Sequence, residues 1–247
     1  LLVTLRGKTL IKCNILHKTH MGKKYDKKNV LAFGCTHFPF VHPNFLEFVK
    51  GVQKSEKCGT IVHLGDVVDN HSISYHEHDP DLWSPAHEMA QVDITLKTWF
   101  KAFPNLKITR GNHDKLVDRK AKTVGLPKRC FRPYREIWNF PDTWEDDFHF
   151  IIDGVYYFHG EGFSGRGGHL TAAMAHRQST VMAHLHSFAG LEYTASDKDC
   201  IFGANAGCGI DAKQLAFAYG RTFKFKPILS CVVVRNGEDP QIFRMRL

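Results

Sequence analysis

Short runs of hydrophobic residues alternate with longer stretches of helical periodicity through the first half of the chain. Three of the runs are typical of buried strands because they are short, rich in aliphatic residues and bounded by glycine or polar residues. They lie at residues 30–34, 60–64 and 106–110. The stretches that follow them predict helices around residues 43–54, 84–103 and 115–124. Ser84 is a good N-cap for the second helix, and Pro85 fits its first turn.

The second half of the chain is richer in strands. Residues 148–152 and 155–159 flank Asp153-Gly154, a dipeptide typical of a two-residue β-hairpin. A glycine-dense loop at 160–168 precedes a predicted helix at 169–178. Further strands are predicted near residues 180–185, 200–204, 228–234 and 241–246. Alternating strands and helices followed by hairpins predict two sheets packed together, with helices outside them.

The positive charge of the chain is concentrated at its start. The formal net charge is +8, and residues 1–29 contain eight Lys or Arg residues against one acid. The remaining residues, 30–247, contain 25 bases and 24 acids and are nearly neutral. We therefore predict a basic N-terminal arm, with a hairpin in residues 1–16, ahead of one large domain. The arm either contacts phosphates, as in a nucleic-acid partner, or is a solvated connection.

The cysteine pattern and the hydropathy of the chain indicate the cellular compartment in which the protein is expected. Seven cysteines are scattered without a C-x-x-C pair, which favours a reducing compartment and predicts a cytoplasmic protein. The apolar runs are too short to cross a bilayer, so no membrane partner is expected. The oligomeric state has no signature in the sequence.

Five short patches place metal-ligand side chains where hydrophobic strands end. They are Cys35-Thr36-His37, GDVVD at residues 65–69, GNHD at residues 111–114, His159-Gly160 and His184-Leu185-His186. Ligand sites of open α/β sheets lie beyond the carboxyl ends of the strands. Carboxylate, amide and imidazole groups are all metal ligands, and the two histidines of the last patch project from one face because they are two residues apart. Together the patches predict a two-metal hydrolase.

The order C-T-H, GDVVD, GNHD, FHG and AHLH over residues 34–186 resembles the motif pattern of the calcineurin-like metallophosphoesterases. The opening CTHFPF is similar to that of phage and bacterial members, apart from its first residue. The resemblance implies an α/β fold, a four-layer α/β/β/α sandwich of two mixed sheets flanked by helices. It places the metallophosphoesterase domain at residues 30–247, behind the arm.

The same resemblance implies a role for each motif residue. The first metal ion would be held by Cys35, His37, Asp66 and His186. The second would be held by Asp66, Asn112, His159 and His184, so Asp66 would bridge the two ions through its two oxygens. The two ions would share a hydroxide that attacks phosphorus. His113 would assist the leaving oxygen, and Asp69 would orient the ring of His113.

Cys35 is the departure from the family pattern, which usually has Asp at this position. A thiolate is a softer ligand than a carboxylate, so Cys35 favours zinc or iron, and manganese remains open as a third candidate. The alternative is that Cys35 is only a small buried residue beside a weak first site.

Other basic, aromatic and histidine residues have weaker signatures. Arg166 and His169, in and beside the glycine-dense loop, are candidates to bind a substrate phosphate. Residues 128–135 and 221–226 interleave bases with aromatics, a pattern that suits single-stranded nucleic acid, although the second is equally typical of a half-buried strand. Histidines that match no motif are expected to be structural (His63, His87, His149, His176) or part of a polar rim (His71, His76, His78).

These patterns predict a hydrolase of phosphate esters, and within that class a phosphodiesterase acting on nucleic acid or nucleotides. Three alternatives remain open. A phosphomonoesterase acting on nucleotides or phosphoproteins would use the same residues. A non-catalytic metal-binding scaffold would keep the fold, with the altered first motif as its support. A protein that binds DNA through the arm of residues 1–29 would lose its affinity steeply with salt.

Overall fold

The computed structural model describes residues 25–75, 81–214, 216–217 and 224–246. The predicted hairpin, most of the basic arm, His76, His78 and residues 221–223 lie outside the described residues. Within the described part, no helix is long and apolar enough to cross a membrane.

Strands and helices alternate through the first half of the described chain and strands dominate the second half. In chain order the elements are β1 (Asp26–Phe33), α1 (Phe45–Ser55), β2 (Cys58–His63), α2 (Pro85–Ala102), β3 (Leu106–Thr109), α3 (Leu116–Thr123), α4 (Tyr134–Ile137), β4 (Trp144–Asp147), β5 (His149–Ile152), β6 (Val155–Phe158), α5 (Gly168–His176), β7 (Thr180–Met182), β8 (Gly190–Ala195), β9 (Cys200–Asn205), β10 (Ser230–Arg235) and β11 (Asp239–Arg244). Short 3-10 turns cover His71–Ile73 and Lys128–Cys130.

The strands form two mixed sheets. The first has the order β11-β10-β1-β2-β3-β4, with β1 to β4 parallel and β10 and β11 antiparallel. The second has the order β5-β6-β7-β9-β8, with a parallel centre of β6, β7 and β9 and an antiparallel strand at each edge. The connections that return parallel strands carry the helices, which is why the first half of the sequence alternates.

The core lies between the two sheets and beneath the helices. Phe33 of β1 packs against Phe45 of α1 and Trp99 of α2, at ring-centroid distances of 6.2 and 5.7 Å. On the far side, Ala172 of α5 packs with Met182 of β7. Residues from both sheets join one buried cluster between these layers. The predicted four-layer α/β/β/α sandwich is confirmed.

Four differences from the expected elements have physical reasons. Strand β1 begins at Asp26, inside the predicted arm, because residues 26–29 extend the ladder toward β2 and β10. β4, with the sequence WEDD, and β8 lie at the edges of their sheets. They form by pairing with a neighbouring strand, so their sequences show little of the hydrophobic alternation by which a strand is predicted. α4 is a single short turn that the periodicity does not mark.

Phe33 is fully buried between two helices and the sheet. Phe33→Ala leaves a cavity there, so we expect the free energy of unfolding to fall by about 3–5 kcal/mol. Urea denaturation measures the change. Phe148→Ala is the matched control, because that ring is 58% exposed and its removal should cost less than 1 kcal/mol. Equal losses in both variants would contradict the packing described here.

Candidate metal centre

All five motif patches lie just beyond the carboxyl ends of strands. In chain order they are Cys35 and His37 after β1, Asp66 and Asp69 after β2, Asn112 and His113 after β3, His159 after β6, and His184 and His186 after β7. The first three strands are neighbours in one sheet, and β6 and β7 are neighbours in the other. The two sheets therefore deliver their loop residues to one common edge of the sandwich.

Four of these residues have a left-handed backbone. The φ angles are 50° at Cys35, 48° at His37, 51° at Asp66 and 69° at His184. A residue with a side chain is strained there, at a cost of order 1–3 kcal/mol each. Hydrogen bonds hold the turns in place, since Cys35 N–H donates to the carbonyl of Gly65 at 2.9 Å and His37 N–H donates to that of Asp66 at 3.0 Å. Such concentrated strain is typical of a functional site.

The first group of donor atoms combines sulfur, nitrogen and oxygen. The donor atoms of Cys35, His37, Asp66 and His186 all lie within 4.8 Å of one another. His37 Nε2 is 3.2 Å from His186 Nε2 and 3.6 Å from Asp66 Oδ2. The structure thus brings together the four residues predicted for the first metal.

The second group shares Asp66 with the first. The donor atoms of Asp66, His159 and His184 also lie within 4.8 Å of one another. His159 Nε2 is 3.0 Å from Asn112 Oδ1, 3.1 Å from His184 Nδ1 and 3.2 Å from Asp66 Oδ2. These are the four residues predicted for the second metal.

The two oxygens of Asp66 have different surroundings. Oδ2 lies near both His37 and His159, and so belongs to both donor groups. Oδ1 accepts a hydrogen bond from the backbone N–H of His113 at 2.8 Å. One oxygen therefore lies near both groups, and the other anchors the loop after β3, while bridging of two ions by Asp66 stays a prediction.

Hydrogen bonds determine which nitrogen of the His37 and His159 rings is available to a metal ion. His159 Nδ1 lies 2.8 Å from the carbonyl of Leu64, which can only accept, so Nδ1 carries a proton and Nε2 is the nitrogen left to face the donor group. His37 Nδ1 lies 2.6 Å from Asp69 Oδ1 with the same consequence. Both rings turn Nε2 toward the donor groups, as histidine ligands do when a carboxylate or carbonyl holds the other nitrogen.

The expected contact between Asp69 and His113 is present but is made chiefly by the backbone. His113 Nδ1 lies 2.6 Å from the main-chain carbonyl of Asp69 and 3.3 Å from its Oδ1. The carboxylate is closer to His37. Burial lowers the pKa of His113, but the charges of Asp66 and Asp69 outweigh that effect and the pKa is raised overall. The ring therefore favours its protonated form beside the donor groups.

The donor set fits a pair of metal ions. Burial and neighbouring imidazoles lower the pKa of His37, His184 and His186, so these rings are neutral and can donate a lone pair. Burial raises the pKa of the Cys35 thiol, and the charge of Asp66 raises it further. A cation would act in the opposite direction and favour the thiolate.

A family model described as calcineurin-like phosphoesterase matches residues 28–199. This match spans more than half of the chain and includes every motif described above. The chain belongs to the calcineurin-like phosphoesterase family.

Solved structures with some similarity to this calcineurin-like phosphoesterase chain include three Vps29 proteins. The Cryptosporidium parvum protein is 14% identical, with a TM-score of 0.41, and the alignment covers 89% of this chain and 98% of that one. A single mutant from Entamoeba histolytica is 12% identical (TM-score 0.40; 88% and 99% covered), and the Chaetomium thermophilum protein is 12% identical (0.41; 88% and 96%). Sequence identities and TM-scores this low do not support an inference about function. No curated protein matches the chain.

Asp114 organises the centre, and sequence reasoning gave it no role although it is the last residue of the family's GNHD motif. Its buried carboxylate accepts hydrogen bonds from the backbone N–H groups of Asp66, Val67, Val68 and Gly111 and from the hydroxyl of Tyr134, at 2.7–3.3 Å. Burial, followed by the charge of Asp66, raises the pKa of Asp114. This one side chain ties the loop after β2 to the loop after β3.

Gly111 makes close contact with the shared carboxylate. A Cβ at this position would lie 2.1 Å from Asp66 Oδ1 and 2.5 Å from Asp66 N. Any larger residue would push the carboxylate out of place. The glycine of GNHD is thus required by the approach of the two loops and not by an unusual backbone angle.

Two predictions about residues near the centre are wrong. His169, expected to bind substrate phosphate, is fully buried and packs against Phe188 at 5.0 Å between ring centroids. Its position at the start of α5 turns it beneath the helix. His71, expected in a polar rim, is also buried, with Nδ1 3.7 Å from Asp69 Oδ2. Arg166 is exposed and lines the same groove as His184 and His186.

The unmatched histidines have structural contacts. His63 is buried and its Nε2 lies 2.9 Å from the hydroxyl of Thr36. His149 and His176 stack on Tyr156 at 4.7 and 4.2 Å. These contacts lie outside the two donor groups.

Cys35→Asp keeps an anionic donor but replaces soft sulfur with hard oxygen. We expect the ratio of bound zinc to bound manganese to fall severalfold, because carboxylate suits manganese better than thiolate does. Inductively coupled plasma mass spectrometry of protein loaded from an equimolar metal mixture measures the ratio. Cys231→Ala changes another buried cysteine, in β10, and should leave the ratio unchanged. An unaltered ratio in Cys35→Asp would mean that the thiol is not a ligand.

Asp114→Asn replaces one accepting oxygen with an NH2 group and leaves buried N–H or O–H donors without partners. We expect a loss of about 1–3 kcal/mol in the free energy of unfolding and lower metal content, because Asp66 loses its backbone anchor. Calorimetry and metal analysis measure the two effects. Asp142→Asn, at an exposed position, should change neither. Normal metal content in Asp114→Asn would show that the loops hold Asp66 without it.

Proposed function

We propose that this protein is a two-metal phosphodiesterase that acts on nucleic acid or nucleotides. The observation that carries the proposal is the sharing of Asp66 Oδ2 between two groups of donor atoms. An oxygen common to two clusters can bridge a pair of adjacent cations. Membership of the calcineurin-like phosphoesterase family supports hydrolysis of a phosphate ester.

Each donor group would hold one ion. The first comprises Cys35, His37, Asp66 and His186. The second comprises Asp66, Asn112, His159 and His184. Sulfur in the first group favours zinc or iron, and the oxygen and nitrogen donors of the second also accept manganese. When bound, such ions supply Lewis acidity and a water molecule of lowered pKa.

The residues of the chain then bind and position the ester. His113 is held at Nδ1 by the carbonyl of Asp69, so its Nε2 is the nitrogen that can donate a proton to the leaving oxygen. Its side chain is 17% exposed, so a substrate can reach it. Arg166, at the rim of the same groove, can pair with a non-bridging phosphate oxygen.

Asp69 has a positioning role. Its carboxylate holds His37 and its carbonyl holds His113, so one residue sets the orientation of a candidate ligand and of the candidate acid. The two rings lie 4.5 Å apart, edge to face. A shift of Asp69 would therefore disturb metal binding and proton donation together.

A phosphomonoesterase is the nearest alternative, since the same residues would serve it. A metal-binding scaffold without catalysis is the alternative from another class. Its support is the replacement of the usual aspartate by Cys35. Against it stands the grouping of all seven expected donors with His113 beside them.

Protein reconstituted with zinc, iron or manganese should hydrolyse bis(p-nitrophenyl) phosphate faster than p-nitrophenyl phosphate. His113→Asn should lower kcat for an unactivated dinucleotide diester, whose alkoxide leaving group needs a proton, by about 10²- to 10⁴-fold with unchanged metal content. The loss should be much smaller for the aryl diester, because nitrophenolate leaves without a proton. His87→Asn, at an exposed site on α2, is the control and should be neutral. Faster monoester hydrolysis would favour the phosphomonoesterase, and inactivity with every metal would favour the scaffold.

A further inference from the structure

A large groove opens beside the metal centre. Its volume is about 1060 Å³, and His184 and His186 form part of its lining. Its lining comes from residues 165–166 and 184–189 and from described residues between 210 and 228. The groove is therefore continuous with the donor groups and large enough for more than a single phosphate group.

The charge of the groove differs from that of the rest of the domain. Four cationic side chains line it, Arg166, Lys213, Lys224 and Lys226, and its described lining contains no carboxylate. Residues 30–247 as a whole are nearly neutral. Cations gathered in one concave surface attract a polyanion rather than a neutral or basic partner.

Aromatic rings lie among these cations. Phe225 stands between Lys224 and Lys226 in sequence and is 75% exposed. Phe188, which also lines the groove, lies with its ring centroid 5.8 Å from the guanidinium carbon of Arg166. The exposed ring of Phe225 and the half-buried ring of Phe188 provide stacking surfaces for bases, and the cations beside them provide charges for the backbone phosphates.

Residues that line the groove contact the donor groups directly. The N–H of Ile228 donates to the carbonyl of His186 at 2.8 Å, three residues from Phe225. Phe217, at the base of the groove, packs edge-on against His37 with ring centroids 5.8 Å apart. A strand bound along the groove would therefore lie at a fixed distance from the candidate metal ligands.

We propose that this groove binds single-stranded nucleic acid and delivers one of its phosphodiesters to the metal centre. The inference rests on the proposed function and specifies its substrate. A single strand fits better than a duplex because its bases are unstacked and can lie on Phe225 and Phe188. A phosphopeptide has phosphate charge but no series of flat bases, so it would leave the exposed ring without a partner.

Binding is tested by fluorescence anisotropy with a labelled single-stranded phosphorothioate oligonucleotide, which resists cleavage, on the metal-loaded protein. Phe225→Ala should raise Kd about 5- to 100-fold through lost stacking. The double variant Lys224→Glu and Lys226→Glu should raise Kd and lower the dependence of log Kd on log salt concentration by about one to two units. Circular dichroism checks that both variants fold.

Phe148→Ala and Lys101→Glu are matched controls, since both residues are exposed and lie outside the groove lining. Unchanged Kd in both controls, with weaker binding in both groove variants, supports the inference. It is overturned if the groove variants bind like the wild type, if a duplex of the same sequence binds as tightly, or if a phosphopeptide displaces the strand equally well. Failure of the proposed function would appear elsewhere, as absent hydrolysis of the aryl diester by the wild type.

Discussion

The orientation of the Asp66 carboxylate is the constraint on which the centre depends. Oδ2 must face His37 and His159 at once, and it can do so because Oδ1 is held by the N–H of His113. Asp114 holds the backbone of Asp66, and the missing side chain of Gly111 leaves room for the carboxylate. Two loops from neighbouring strands thus fix one oxygen, and the two donor groups follow from its position.

The rigid sandwich allows this arrangement to exist. Cys35, His37, Asp66 and His184 all adopt a backbone that residues with side chains rarely occupy, and their combined strain is of the order of several kcal/mol. Burial between and around the two sheets offsets that cost. The core therefore serves the site directly, because a loosely packed sheet edge would let these turns relax and separate the donors.

Electrostatics divides the site into two parts. The centre is largely buried, and the imidazoles of His37, His184 and His186, whose pKa values are lowered chiefly by burial, surround a buried carboxylate and a thiol, which suits cations. The adjoining groove is open and lined by exposed lysines and an arginine, which suits the anionic remainder of a substrate. A phosphate ester needs both, since the oxygens of its reacting phosphate would bind the cations while its flanking groups would bind beyond them. The departure from the family pattern, Cys35, lies in the buried centre and not in the groove.

The sequence by itself determined where most of the strands lie along the chain and the five patches at their ends, and hence the residues that meet, because parallel strands deliver their carboxyl ends to one edge. Only the tertiary structure decided how those residues divide their contacts. The sharing of Asp66 Oδ2, the hydrogen bonds of Asp114 and the burial of His71 and His169 depend on distances between loops far apart in the chain. β4 and β8 likewise owe their existence to pairing with neighbours and not to periodicity. Local patterns encode which side chains reach an edge, whereas the contacts across that edge arise only when two sheets pack.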